Sequence, residues 1–449
     1  MPDSYGTLVS LFSGAMGMDL GLEQAGFTTQ AVVECDPRAV LTITLNQEWL
    51  RTGAPLILAD KLDLANVRKT CHRILEKVPT LRSGGVDLLA GAPPCQPYST
   101  AGKRLSMQDD RANGFDIFFN AVASLQPSYF IIENVSGVIS AARQHRPLSE
   151  RGPGFPPLLP AEQYGSAFRQ ILRNLTKLCS SHGYCATWGI LNAADVGVAQ
   201  RRHRLVIIGS KAGYSVWPTP THSRDARGAR RWRTMRDALS RLRETHPVYE
   251  QFTGRTKEFI SHIPAGGNWR DLPSPLRAAA MGEAFKSWGG RSGFLRRLAW
   301  DEPAPTVTYS PLGRATLLCH PDVIRPLTVR ECARLQGFPD HWQFAGTIRD
   351  QYRQIGNATP VGLAKAIGIA IRDAANLGTR NYHGEVLCAQ PDLLERIGRR
   401  RKTVLNPTKM RPGSARESDR VWLGAAAGCR SDVKLYKARP PLEFIGRMS

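Results

Sequence analysis

The sequence predicts an α/β protein: a doubly wound sheet with a second, smaller domain. Short apolar runs alternate with helix-like segments through the first 210 residues, and several runs are apolar on both faces, as strands covered by helices should be. Beyond Trp217 this periodicity gives way to arginine-rich, Gly/Pro-punctuated sequence, which marks the second domain.

The strand candidates are TLVSLF (7–12), QAVVEC (30–35), PLILAD (55–60), VDLLAG (86–91), SYFIIEN (128–134) and HRLVIIGS (203–210), each closed by turn or polar residues. Between them MDLGLEQAG, PRAVLTITLNQEW, NVRKTCHRILEKV, GFDIFFNAVASLQ and AFRQILRNLTKLCSSHG have helical patterns. The last stops at Gly183 after a basic turn. In the irregular middle, Thr234-x-x-Asp237 predicts one capped helix. Regular patterns return after Pro326 with TVRECARLQGF and with PVGLAKAIGIAIRDAANL, which opens at Pro360. The expected divisions are 1–215 and 323–377 for the main domain and 216–322 for the smaller one. A basic extension, 378–449, is expected to be weakly ordered.

The 449 residues carry 60 Lys and Arg against 38 Asp and Glu, a formal charge of +22, which points to a polyanionic partner, nucleic acid before membrane. A basic tail alone does not explain it, because arginines also crowd the middle of the chain. The nine cysteines include no CxxC pair and no His partner at zinc spacing, so neither disulfides nor a metal are expected. Free thiols imply a reducing compartment. No signal peptide and no apolar run of about 20 residues is present, so a soluble intracellular protein is expected.

Four stretches carry chemistry. In LVSLFSGAMGMDLGL a strand enters a glycine turn and then a helix, so a nucleotide-like ligand can approach the backbone. The spacing of Gly14, Gly17 and Gly21 is not G-x-G-x-x-G, but Glu34 and Asp60 end the next two strands, where carboxylates meet ribose hydroxyls. In LLAGAPPCQPYST two prolines stiffen the loop that carries Cys95. That thiol is either a nucleophile in a donor-rich setting or a small buried hydrophobe. FIIENVSGV delivers Glu133 to the same edge, as a desolvated acid or as a helix cap. In QRRHRLVIIG, Arg202 and Arg204 are spaced by two and share a face, unless the run is simply solvated.

FSG, Glu34, PPCQPYS, ENV, QRRHR and the distant QIGNATP follow in the order of the motifs of DNA (cytosine-5)-methyltransferases, which the chain resembles from Leu8 to about Ala374. STAGKR, RPLTVRECARLQGFPD and DEPAPTVT agree between them. Two positions depart: Met16 stands where a second glycine is usual, and Ala199 where a proline is usual.

The resemblance implies a Rossmann-like S-adenosylmethionine-dependent methyltransferase sheet with a target-recognition domain, of the bacterial restriction-modification type. Carried onto this chain, Cys95 is the nucleophile, Glu133 meets the ring N3, and Arg202 and Arg204 orient the base. Phe12, Gly14, Glu34, Asp60 and Asn357 would bind S-adenosylmethionine; Gln96, Ser99, Lys103, Arg104 and Thr308 would touch DNA. The implied partner is double-stranded DNA with its target base flipped out, and no membrane. A monomer in the bacterial cytoplasm is expected, on the nucleoid through DNA. A restriction endonuclease would act on the same sequence without direct contact. An RNA cytosine methyltransferase would carry a shortened recognition region, whereas 219–305 is long here. A catalytically silent DNA-binding relative would not need Cys95, Glu133 and Arg204 intact, and a cysteine hydrolase would need a histidine base near Cys95.

Overall fold

The computed structural model describes residues 4–94, 114–147, 150–152, 154–213, 215–252, 254–285, 293–313, 316–375, 384–390, 393 and 433–435. Its strands are β1 (Gly6–Leu11), β2 (Phe27–Val33), β3 (Leu56–Leu58), β4 (Leu88–Gly91), β5 (Tyr129–Val135), β6 (Cys185–Asn192), β7 (His203–Ser210), β8 (His222–Ser223), β9 (Arg230–Arg231), β10 (Val386–Cys388) and β11 (Val433–Leu435). Among the described residues nine of them form one sheet, in the order β11-β10-β6-β7-β5-β4-β1-β2-β3, and β8 pairs with β9.

All six strand candidates are strands. β6 was not anticipated. The sheet is also mixed: β7 runs antiparallel to both β5 and β6. Only residues 193–202 join β6 to β7, fewer than the dozen or so a parallel crossover needs. The strand expected at 55–60 ends at Leu58. A further correction concerns the extension expected to be weakly ordered from 378. Within it Val386–Cys388 is a buried strand pairing parallel with β6, and β11 pairs with it in turn.

The helices are α1 (Gly17–Gln24), α2 (Pro37–Asn46), α3 (Val67–Lys77), α4 (Thr80–Gly84), α5 (Gly114–Leu125), α6 (Ser166–His182), α7 (Met235–Leu239), α8 (Thr256–Ser261), α9 (Ser274–Met281), α10 (Val329–Gln336), α11 (Ile348–Asn357) and α12 (Val361–Ala375). As expected, α6 stops at Gly183, which turns left-handed at φ 71°, and Thr234 and Asp237 form a capping box. α8 and α9 escaped notice because each is short and bounded by Gly or Pro. None of the described helices is long and apolar enough to cross a membrane.

The two faces of the sheet follow from strand alternation. Leu89 packs with α3, α5 and α6 residues such as Ile74, Phe118 and Leu175, whereas Leu88 and Ala90 pack with α1 and α12 residues such as Leu22 and Ile367. α12 lies so close on α1 that a Cβ on Gly21 would fall 2.2 Å from the Val361 carbonyl oxygen. A separate core, with Phe259, Trp269, Met281 and Leu317, lies within residues 216–322.

Candidate active site

Pairing registers align Leu58, Val33, Leu11, Gly91, Ile132, Ile207 and Trp188 in one row across the sheet. β1 to β5 run in one direction, so the residue after each row position opens on the same edge. Phe12, Glu34 and Glu133 are each one step beyond the row, and Pro93 is two steps beyond. β7 enters the sheet at that edge, bringing Arg204 opposite Val135. Such carboxyl edges are where open α/β sheets hold their ligands.

The glycine turn is built from backbone. Phe12, Gly14 and Met16 have φ of 57°, 54° and 64°, all left-handed. The Gly14 N–H donates to Glu34 Oε2 at 2.7 Å, while Glu34 Oε1 accepts from the N–H groups of Cys35 and Asp36 at 2.7 and 2.8 Å. Three backbone donors thus hold the half-buried Glu34 carboxylate against the turn. A Cβ on Gly14 would meet nothing within 4 Å, so the space over the turn is open to a ligand. The donor set and this open cradle fit a nucleoside cofactor. Asp60 lies two residues past the end of β3, and its Oδ2 meets Arg73 Nη1 at 2.6 Å.

Asn357 is the exposed last residue of α11. Packing of α12 on α1 carries it toward the glycine turn, for a Cβ on Gly17 would lie 2.3 Å from the Thr359 carbonyl oxygen. Below the turn Asp19 is fully buried, and neither carboxyl oxygen has a partner in hydrogen-bond geometry. Burial pushes its pKa up from 3.8 to about 7, with the nearby Ser10 hydroxyl pulling the other way. Sequence reading passed over Asp19, because an acid in a first helical turn looks ordinary.

Cys95, Gln96, Ser99, Lys103 and Arg104 lie outside the described residues. The two flanks of their segment meet: a Cβ on Gly114 would be 2.8 Å from the Pro93 Cβ. The Pro93 carbonyl accepts from buried Asn134 Nδ2 at 3.1 Å. Asn134, the middle residue of ENV, therefore ties Pro93 to the strand that delivers Glu133, a role sequence reading missed.

Glu133 and Arg204 are 4% and 8% exposed. Arg204 Nε stands 2.6 Å from Glu133 Oε1 as an ion pair, although its N–H direction falls short of hydrogen-bond alignment. Arg202 takes a different course. It is 1% exposed and donates to the carbonyls of Val307 (2.7 Å), Gly356 (2.7 Å) and Ala358 (3.1 Å). The expectation that both arginines share a face is thus corrected. Arg202 precedes β7, so strand alternation does not govern it, and its guanidinium is committed to backbone.

Buried Gln200 works alongside. Its Oε1 accepts from Val307 N–H at 2.9 Å and its Nε2 donates to Gln336 Oε1 at 2.8 Å; Gln336 Nε2 donates on to the Ile355 and Ala358 carbonyls at 2.5 and 3.1 Å. Gln200 heads the QRRHR block, a signal that was available; Gln336, inside an ordinary helix, offered none. Thr308 is half-buried against Gly356, and its hydroxyl donates to the Ser310 carbonyl at 2.9 Å.

The family model for C-5 cytosine-specific DNA methylases matches residues 6–373. The chain is 35% identical over 364 residues to the Type II methyltransferase M.Sau96I of Staphylococcus aureus, covering 80% of this chain and 73% of that protein. It is 36% identical over 384 residues to M.PspPI of Psychrobacter sp. (strain TA137), covering 82% and 80%. To M.Eco47II of Escherichia coli it is 33% identical over 377 residues, covering 81% and 78%. Among solved structures, one described as a DNA modification methyltransferase encoded within an E. coli prophage is similar in fold, with a TM-score of 0.52 at 22% identity over 82% of this chain and 99% of that one.

Proposed function

The chain belongs to the C-5 cytosine-specific DNA methylase family, and from that premise we propose that it methylates C5 of a cytosine flipped out of duplex DNA, through a transient bond from Cys95 to C6. The observation that carries this reading is the convergence on one sheet edge of the tethered Pro93 loop and the buried Glu133–Arg204 pair.

Cytosine C5 is a poor nucleophile. A thiolate adding to C6 turns the ring into an enamine whose electron density sits at C5, the usual benefit of covalent catalysis. Glu133, positioned by Arg204 and carrying a proton when the base is bound, would donate that proton or a hydrogen bond to N3 as charge develops on the ring. S-adenosylmethionine, when bound, supplies the electrophilic methyl group. Once C5 carries that methyl, loss of the C5 proton to a base lets the ring electrons expel the thiolate while N3 gives any proton it took back to Glu133, restoring Cys95, Glu133 and aromaticity. Phe12, Gly14, Glu34, Asp60 and Asn357 would hold the cofactor, with Glu34 already oriented by three N–H donors and Asn357 arriving from the far end of the chain. Arg202 would act as a positioning residue, pinning the segments on either side of Asn357.

In a duplex C6 is stacked, so the base must leave the helix at a cost of a few kcal/mol, offset by pocket and backbone contacts. Gln96, Ser99, Lys103, Arg104 and Thr308 would contact DNA around the vacated position. The separate core of the smaller domain, within 216–322, supports a duplex-reading module over the shortened region of an RNA enzyme. In keeping with relatives named Type II methyltransferases, its own biological role would be host-DNA modification as a cytoplasmic monomer, beside an endonuclease of the same sequence specificity.

Bisulfite sequencing of DNA from a heterologous host tests the reading. Wild type should leave 5-methylcytosine at one short motif and Cys95→Ser none; methylation surviving in the variant would overturn the nucleophile assignment.

A further inference from the structure

The arginine-rich stretch after Trp217 is fastened to the catalytic body, not to the core of the smaller domain. Trp217 packs where a Cβ on Gly189 of β6 would lie 2.9 Å from its ring. The Thr221 N–H donates to the Asp195 carbonyl and Trp232 Nε1 to Asp195 Oδ1, both at 2.9 Å. His222, paired with Arg230 across β8 and β9, sits so close to Gly197 that a Cβ there would meet its ring at 2.7 Å. Beyond the stretch, Met235 and Leu239 join the core that holds Leu327 and Cys332.

Asp195 belongs to the 3-10 turn Ala193–Val196, which directly follows β6. β6 and β5 are both antiparallel to β7, so β6 ends on the edge that carries Glu133, with Leu191 opposite Arg204. The parallel β8–β9 pair is therefore anchored one short turn from the reacting edge.

Its exposed charge is mostly positive. Arg224, Arg227, Arg230, Arg231 and Arg233 are exposed. Arg227 meets Asp225 at 3.0 Å and Arg233 donates to the Asp237 carbonyl at 3.3 Å. Arg224, Arg230 and Arg231 make no ion pair among the described residues. Arg230 and Arg233 both add to the depression of the His222 pKa, which burial begins. Exposed guanidinium groups without supporting side chains lack the preorganisation that bidentate base reading demands, but they suit phosphates, which need charge more than geometry.

We propose that Arg224, Arg230 and Arg231 form a sequence-independent clamp on duplex DNA phosphates beside the flipped cytosine, fixing the register of the helix over the catalytic edge while the smaller domain reads bases. This rests on the proposed duplex substrate.

The test measures binding of the full chain to a mixed-sequence duplex from about 50 to 200 mM salt, the range over which phosphate contacts dominate. The variant Arg224→Gln/Arg230→Gln/Arg231→Gln should flatten the slope of log affinity against log salt by roughly 2 to 3, about 0.9 per lost phosphate contact. The variant with lysine at the same three positions should restore it. The bisulfite-mapped motif should be the same in all three proteins. An unchanged slope in the glutamine variant, or a changed motif, would overturn the clamp. Failure of wild type to methylate any motif would instead overturn the underlying reading, so the two failures are distinct.

Discussion

Arg204 reaches diagonally across the β5–β7 ladder to Glu133, Nε to Oε1 at 2.6 Å, with both side chains nearly out of water. Arg204 is directly opposite Val135, so alternation puts Glu133, two residues earlier on β5, on the same face. The pair joins the chain's central buried strand to the one strand of its neighbourhood that runs the other way.

Removing one partner of a buried pair leaves an uncompensated charge. Arg204→Ala should therefore lower stability by about 3–5 kcal/mol in urea denaturation. Glu133→Gln keeps the shape and should lower single-turnover methyl transfer by roughly 10²–10⁴-fold. A stability loss in both with methyl transfer intact would make the pair purely structural.

Arg202 holds three carbonyls on two distant segments. Arg202→Met should cost about 3 kcal/mol or more, since a bond from a charged donor contributes about 1.5–3 kcal/mol. Its kinetic signature should be a KM for S-adenosylmethionine raised more than kcat is lowered, because Gly356 and Ala358 flank Asn357. A fall in kcat with KM unchanged would place Arg202 at the base instead.

Met16 sits at φ 64°, where glycine would relieve about 1–2 kcal/mol of left-handed strain. The same side chain is fully buried in a core with Phe338 and Val361. Losing a buried side chain of that size costs about 2–5 kcal/mol, so packing outweighs strain. Met16→Gly should be net destabilising, read as a lowered Tm; a raised Tm would mean that strain dominates.

Asp19 binds its proton more tightly folded, near pH 7, than unfolded, near 3.8. Between those values the native state holds more protons, so this group's stabilising contribution is full at acid pH and is lost as pH rises to about 7. Asp19→Asn should remove that loss, which amounts to about 4 kcal/mol for a shift of this size. Denaturation of both proteins at pH 5 and pH 8 checks it: parallel pH dependences would refute the buried-acid account.

Much of the fold was legible because strand and helix signals are local. The six apolar runs became strands, and the capping box at Thr234 and the glycine stop at Gly183 formed where turn chemistry put them. β6 was missed because CATWGILN lacks clean alternation, and β10 because a three-residue apolar run in a basic region does not stand out. At the site, Glu34 and Glu133 were readable as acids ending apolar strands. Asn134 and Gln336 were not, since their work is to satisfy backbone groups that only the folded chain brings near.

From the sequence alone came the strand–turn–helix alternation, the positive charge and the order of the chemical groups, all properties of neighbours along the chain. Tertiary structure decided the direction of β7, the parting of Arg202 from Arg204 and the arrival of Ala358 and Thr359, just after Asn357, against the start of α1. Those depend on a connection too short to cross over, on where unpaired carbonyls lie, and on two helices close enough that only glycine fits between them. Each is a long-range fit of surfaces, and periodicity carries no record of it.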